Sequence, residues 1–401
     1  MGNNIKINGT VEKGFEKVRE SFIENFNKFD EHGASCSVYV NNKRVVHLWG
    51  GFKDLKKNKP WEEETPVLVF STSKGLAVLT LALAHSRGQL DYDQKISIYW
   101  PEFAQNGKGD ITVRQLLAHQ AGLSFLDQKL SPELIADTQK ISSLLAVQKS
   151  VWRPGDFHGY HAFTIGLYVN EILKRVDPKT RDISQYFKEE FAEPLGLNFE
   201  LGNISEDMFK KRAELSPFLM RDFFMNLKDN PLSFLGGMFN PFSITFKSLL
   251  SVPVKSPTDL DTVEYLKPIF PSANGVGTAD SIAKLYGEFA SGGGTLDLNP
   301  KTIKELKSSS ILPLRSSLDR VMKQETKYNL GFIKPFESFK FASESAFGTS
   351  GAGGSFGFAD PDFKLGYGYA PNKMGLKPWN DPRDENLRTA LFSCLKKRVK
   401  F

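Results

Sequence analysis

The stretch VFSTSKGLAVLTLALAHSRG, residues 69–88, constrains this chain more than any other. From Lys74 to Arg87 it reads as a helix apolar on most faces, which only burial on all sides makes stable. Gly88 ends it. A lysine in the first turn of such a helix is expensive unless something nearby uses it. Ser71 stands three residues before Lys74, nearly one helical turn, so the two share a face. The β-branched run PVLVF (66–70) enters this turn as an extended segment. The helix start that follows offers unpaired N–H groups and positive potential. Both favour the oxyanion and alkoxide charge of acyl transfer. A desolvated lysine loses basicity and can take a serine proton. The competing reading is an N-cap serine with a snorkelling lysine.

Ser-x-x-Lys occurs twice more, at Ser281–Lys284 and Ser393–Lys396, but there within amphipathic helices where the lysine can face water. A second piece of chemistry lies in VWRPGDFHGYHAFTIG (151–166), where Pro154-Gly155 makes a turn and Tyr160 is expected to open the following helix. A tyrosine beside an ammonium ionises more easily and can act as a general base. The alternative is a buried tyrosine with its hydroxyl paired. His158 and His161 lack a third ligand at metal spacing, so no metal is expected. The third piece is FGTSGAGGSFGFADP (347–361), whose glycines let backbone approach a substrate closely. It contains a formal G-x-S-x-G around Ser355, but strand, turn and strand follow instead of a helix, so Ser355 is read as a false match.

Elsewhere, Val11, Phe15, Val18, Phe22, Phe26 and Phe29 recur at helical spacing up to Gly33. ASCSVYV and RVVHLWG alternate around Asn41-Asn42 and predict a β-hairpin. Thr112 and Gln115 are spaced as a capping box, and helical periodicity dominates from there to about 200. The segment 231–254 is apolar with Lys247 its one charge, yet broken by glycine and proline. It is a poor membrane span and a candidate cap over a cleft. Helix ADSIAKLYGEFA, Gly-rich strands from about 329 to 370 and a last helix from Pro382 complete the chain. Strands thus sit at both ends with helices between, an α+β arrangement in which both termini build one sheet.

The net charge of +6 is spread along the chain, so nucleic acid is not the expected partner. The terminal KKRVK (396–400) reads as a solvated last turn, a targeting or nucleic-acid role being the alternative. Cys36 and Cys394 leave room for one bridge at most. The first residues have no apolar h-region, Glu12, Glu16, Glu20 and Glu24 disfavour a transit peptide, and no transmembrane segment is found. An intracellular, cytoplasmic location is the expectation.

The order FSTSKGL, WRPGDFHGYH, NGVGTA and GTSGAGGSFGFADP resembles the serine beta-lactamase-related superfamily, and within it the family VIII esterases and mitochondrial serine beta-lactamase-like proteins. The likeness implies one catalytic domain over about 8–395 with a beta-lactamase/transpeptidase-like fold, an antiparallel sheet flanked by terminal helices plus a mostly helical region. The α/β part would be about 8–85 and 275–395, and the helical part about 86–274. It further implies Ser71 as nucleophile, Lys74 as its partner and Tyr160 as general base. The backbone N–H groups of Ser71 and Ala352 would form the oxyanion hole, with His161, Thr349, Ser350 and Gly351 as substrate contacts and no cofactor. Two motifs depart from the pattern. Tyr-x-Asn of class C beta-lactamases is here Tyr160-His161-Ala162, and Lys-Thr-Gly is Thr349-Ser350-Gly351. The lost amide and cation turn the expectation from penicillins toward small, uncharged esters or amides. A serine peptidase, a beta-lactamase-type amidase, or a non-catalytic scaffold are the alternatives.

Overall fold

The computed structural model describes residues 5–218 and 231–398. Met1–Asn4 and, of the terminal basic cluster, Val399 and Lys400 lie outside the described residues. A nine-stranded antiparallel sheet organises the chain. In spatial order its strands are Ile7–Val11, Lys43–Asp54, Gly33–Val40, Leu365–Pro371, Phe356–Asp360, Phe347–Ser350, Phe332–Ile333 and Tyr328–Asn329, with Lys59–Pro60 pairing beside Lys43–Asp54. The first and last parts of the sequence meet where Leu365–Pro371 pairs with Gly33–Val40, Tyr369 opposite Cys36. The Asn41-Asn42 hairpin forms as expected. Both asparagines take positive φ, 50° and 57°, the left-handed pair that a tight hairpin needs.

Helices Glu16–Lys28 and Pro382–Arg398 pack on each other against one face of the sheet. Phe15, Val18 and Phe22 meet Phe358, Tyr367 and Leu391 in that layer. Val11 departs from the helical reading. It pairs with Val46 in an edge strand, and the helix begins only at Glu16. Cys36 and Cys394 are both buried and both free thiols.

Helix Ala279–Ala290 covers the opposite face. It lies on backbone rather than on side chains. A β-carbon at Gly366 would collide with the Ala283 carbonyl oxygen and the Gly287 nitrogen, and one at Gly368 with the Ala279 carbonyl oxygen. Beside it runs helix Thr72–Ser86, buried at every residue from Thr72 to His85 and packed against helix Thr164–Val176. The helical stretch also hides a small sheet that periodicity did not signal. Phe199–Leu201 and Val67–Leu68 flank Gly275–Gly277, fixing the chain on both sides of the central helix start.

The apolar segment 231–254 forms helices Leu232–Phe239 and Ile244–Leu249. Phe239 and Phe242 face solvent, while Phe234 and Phe246 are half-buried. The four phenylalanines therefore do not line one enclosed pocket.

The glycine-to-helix contact predicts that Gly366→Ala lowers stability by about 1–3 kcal/mol through overpacking. Gly236→Ala is the control. It sits inside a helix with nothing near its β-carbon position, so it should be neutral or stabilising. Urea unfolding midpoints of the two variants check this.

Candidate active site

The central helix begins in strain. Phe70, buried and bulky, holds φ +47°, a conformation that costs on the order of 1–3 kcal/mol and persists only when its surroundings enforce it. Ser71 follows at φ −66° and ψ −12°, half-buried at the helix N-cap, and its side chain caps nothing. Instead its Oγ lies 2.7 Å from Lys74 Nζ. Lys74 is 2% exposed and its Nζ also donates to the Ser272 carbonyl at 2.7 Å. No carboxylate pairs with it among the described residues, and burial holds its pKa well below the usual lysine range.

The first helical turn is fastened to two distant stretches of chain. Thr72 Oγ1 shares a 3.0 Å hydrogen bond with Ser355 Oγ. Ser73 Oγ accepts from the Gly275 N–H at 2.8 Å. Thr349 Oγ1 accepts from the Gly75 N–H at 3.0 Å and donates to the Thr72 carbonyl at 3.1 Å. Ser355 is buried, with its hydroxyl also donating to the Val69 carbonyl at 2.8 Å, so it is a staple and not a free nucleophile.

Tyr160 sits half-buried beside Lys74, whose Nζ lies 5.2 Å from the ring centroid. Burial pushes its phenol up to about 12 against the pull of a hydrogen bond with Ser71, and the Asp319 charge adds to the rise. Tyr160 does not open a helix. The helix starts at Thr164, and Tyr160 stands in the loop before it, held by its own N–H, which donates to both Asp319 oxygens at 3.1 and 3.2 Å. Asp319 is fully buried and also accepts from the Val321 and Met322 N–H groups and the Tyr328 hydroxyl.

Three of the expected substrate contacts have their polar atoms bonded within the fold. His161 is fully buried, its Nδ1 donating to the Gly159 carbonyl at 2.7 Å and its Nε2 accepting from the Leu123 N–H at 3.0 Å. Burial depresses it to about 4, so it is a neutral strut. Thr349 spends its hydroxyl on the central helix, as above. Gly351 closes its own turn, its N–H donating to the Ser355 carbonyl at 2.8 Å and its carbonyl accepting from the Gly354 N–H at 3.2 Å. A β-carbon there would collide with the Val69 carbonyl and Ser355 Oγ. Ser350 alone of the four is half-exposed, its hydroxyl donating to the Pro378 carbonyl at 2.7 Å. Ala352, next along the strand end, is exposed. Neither its N–H nor that of Ser71 finds an acceptor among the described residues.

Asp319, Tyr328, Ser272 and the strained Phe70 escaped the sequence reading. Ser272 stands two residues before the NGVGTA motif, which was its only signal, and Asp319 follows no pattern at all. No group of three or more potential ligands that could hold a metal ion exists among the described residues. No helix there is long and apolar enough to cross a membrane.

The family model described as Beta-lactamase matches residues 21–391. Esterase/beta-lactamase LipL of Mycobacterium tuberculosis is 28% identical over 383 residues, covering 92% of this chain and 83% of LipL. The crystal structure of a family VIII carboxylesterase superposes with a TM-score of 0.85 at 32% identity, over 97% of this chain and 100% of that one. A penicillin-binding protein homologue from Caulobacter crescentus gives 0.83 at 32% identity, over 97% of this chain and 100% of that one. An antiparallel sheet between terminal helices and a helical region, a family match across nearly the whole chain and these relatives agree: the chain belongs to the beta-lactamase family of serine hydrolases and has its transpeptidase-like fold.

Proposed function

We propose that the chain hydrolyses small, uncharged esters or amides through an acyl-enzyme on Ser71. The observation that carries this is the 2.7 Å contact between Ser71 Oγ and a lysine stripped of water and of counter-ions. Burial disfavours the charged form of such a lysine, which makes its lone pair more available to accept the Ser71 proton. Tyr160, held near 12, is ionised in roughly one molecule in 10⁵ at pH 7, so it serves better as a proton relay than as the resting base. In this reading Ser71 Oγ bonds to the substrate carbonyl carbon while its proton passes to Lys74. The oxyanion rests on the N–H groups of Ser71 and Ala352. Collapse expels the alcohol or amine, which takes its proton through Tyr160. Water then attacks the acyl-enzyme by the reverse relay, releasing the acid and restoring the serine.

The names of the relatives, an esterase/beta-lactamase and a carboxylesterase, support esters as the substrate class. So does Thr349, whose hydroxyl is turned inward and supplies no cation for a substrate carboxylate. A beta-lactamase-type amidase is the second reading, favoured by LipL's description, but Ala162 lacks the amide that would hold a lactam side chain.

Ser71→Ala is expected to lower hydrolysis of p-nitrophenyl butyrate by at least about a thousandfold with the fold intact. Ser355→Ala should keep turnover within a few-fold while losing about 1–2 kcal/mol of stability, because its hydroxyl joins two segments. The reverse pattern would remove Ser71 from the chemistry.

The base assignment gives a pH signature. Lys74 loses its lone pair when protonated, so turnover must fall as pH drops through its depressed pKa. Toward alkaline pH the rate should hold until Tyr160 begins to ionise near 12. Tyr160→Phe should lose about 10²–10⁴ in kcat yet keep the acid limb. A limb that vanished in Tyr160→Phe would assign the proton acceptor to the tyrosine instead.

Substrate charge is the third test. A neutral butyrate ester should exceed its hemisuccinate counterpart in kcat/KM by about tenfold or more, since the added carboxylate meets no cation at Thr349. Equal rates would overturn the uncharged-substrate assignment.

A further inference from the structure

The two helices of segment 231–254 are inside out. Thr245 and Ser248 are fully buried, Thr245 Oγ1 donating to the Val321 carbonyl at 2.9 Å and Ser248 Oγ to Ser124 Oγ at 2.9 Å. Gly237 packs inward against Thr245. Leu232 and Phe239 lie seven residues apart, two turns, on the side away from Gly237. They are 86% and 77% exposed, and Phe242 between the helices is 84% exposed. Polar side chains thus anchor the segment while large apolar ones point out. Core packing explains none of these three exposures.

The neighbouring chain repeats the pattern. Leu314 is 83% exposed, on a stretch whose backbone bonds to Gly155 and Asp156 and, further on, to His158. Val321, which receives Thr245, ends that stretch, so segments 231–254, 311–321 and 151–160 share one face beside Tyr160. Cations accompany the apolar side chains. Arg153, Lys247 and Arg320 are exposed and have no carboxylate partner among the described residues, while Lys247 and Arg320 lie over the rings of Phe125 and Phe157. Protruding apolar groups on segments that also carry exposed cations match the chemistry of an anionic lipid surface, apolar at the acyl boundary and negative at the headgroups.

We propose that this face docks the protein on a lipid surface bearing anionic headgroups, with Leu232, Phe239 and Phe242 entering the acyl boundary and Lys247, Arg153 and Arg320 meeting the headgroups. The docking goes beyond the hydrolase reading and stands without it.

Co-sedimentation with phosphatidylcholine vesicles, with and without one quarter phosphatidylglycerol, tests this. The full chain should pellet with the anionic vesicles and only weakly with the neutral ones, and 0.5 M salt should release it. The double variant Phe239→Asp/Phe242→Asp should lower the partition coefficient by about tenfold or more, and Lys247→Glu by several-fold. The double variant should hydrolyse soluble p-nitrophenyl acetate at the rate of the unsubstituted chain, which certifies its fold. Ser71→Ala should bind vesicles normally, so a failure of the hydrolase reading leaves docking intact and a failure of docking leaves hydrolysis intact. Absence of pelleting with anionic vesicles, or equal pelleting by the double variant, overturns the proposal. Self-association without vesicles that the double variant abolishes, with vesicles ignored, assigns the face to a second copy of the chain instead.

Discussion

A lysine amine is buried at the first turn of a helix that is buried at every residue between Thr72 and His85. Everything around the site follows from keeping it there. Among the described residues the amine has two hydrogen-bond partners, Ser71 Oγ and the Ser272 carbonyl, and no counter-ion, so its charged form is the one that burial penalises. The segment that supplies Ser272 must therefore be fixed, and Ser73 fixes it through the Gly275 N–H. The strand that supplies Thr349 and Ser355 must close the other side, and Thr72 and Gly75 fix that. Two segments, 202 and 274 residues further on at the Gly275 and Thr349 contacts, converge on one helical turn. Such convergence is what can hold Phe70 at a positive φ, since local sequence alone would relax it.

Further out, the turn at Ala352 rests on a buried ionic cluster. Arg383 Nη2 donates to the Gly353 carbonyl at 2.7 Å while the same guanidinium grips both Asp381 oxygens and Glu31. A β-carbon at Gly354 would press on Asp381, so the turn sits directly on the ion pair. Buried ion pairs contribute little net stability against apolar substitutes, but they fix geometry because each partner left alone is severely penalised. Here the cluster ties the end of helix Glu16–Lys28, the start of helix Pro382–Arg398 and the turn into one unit. The terminal helices, remote from Ser71, thereby set where the Ala352 N–H points.

What could be read from sequence divides along the range of the interactions. The central helix was legible because an all-apolar helix has one fate. The Asn41-Asn42 hairpin and the Thr112–Gln115 capping box were legible because turn and cap chemistry is local. Val11 was misread because its helical spacing to Phe15 competed with a strand pairing to Val46, thirty-five residues on. His161 and Thr349 took the look of substrate contacts from their place in motifs, yet Leu123 and Gly75 claim their polar atoms across the fold. The strand Phe199–Leu201 is three residues long and pairs with glycines, too short for any period to show. In segment 231–254 hydrophobicity was visible but its direction was not. Periodicity assumes that apolar means inward, and there Thr245 and Ser248 took the inward places.

One physical cause separates the roles of the two titratable groups at the site. Burial disfavours charge, so it lowers an amine and raises a phenol. Lys74 and Tyr160 share one desolvated space, with 5.2 Å between ammonium and ring centroid, and are pushed in opposite directions by it. That space disfavours the extra proton on the lysine and favours the one on the tyrosine. In the proposed mechanism the Ser71 hydroxyl then has an acceptor in Lys74 and a donor in Tyr160, the arrangement that removal of a proton from a nucleophile and delivery of one to a leaving group both require. No carboxylate is needed to set the polarity of the pair, and Asp319, the nearest acid, bonds to the backbone of Tyr160 instead of its hydroxyl. The polarity is therefore a property of burial. Any change that admits water beside Lys74 would return the amine to its charged form and weaken the site without touching Ser71 or Tyr160.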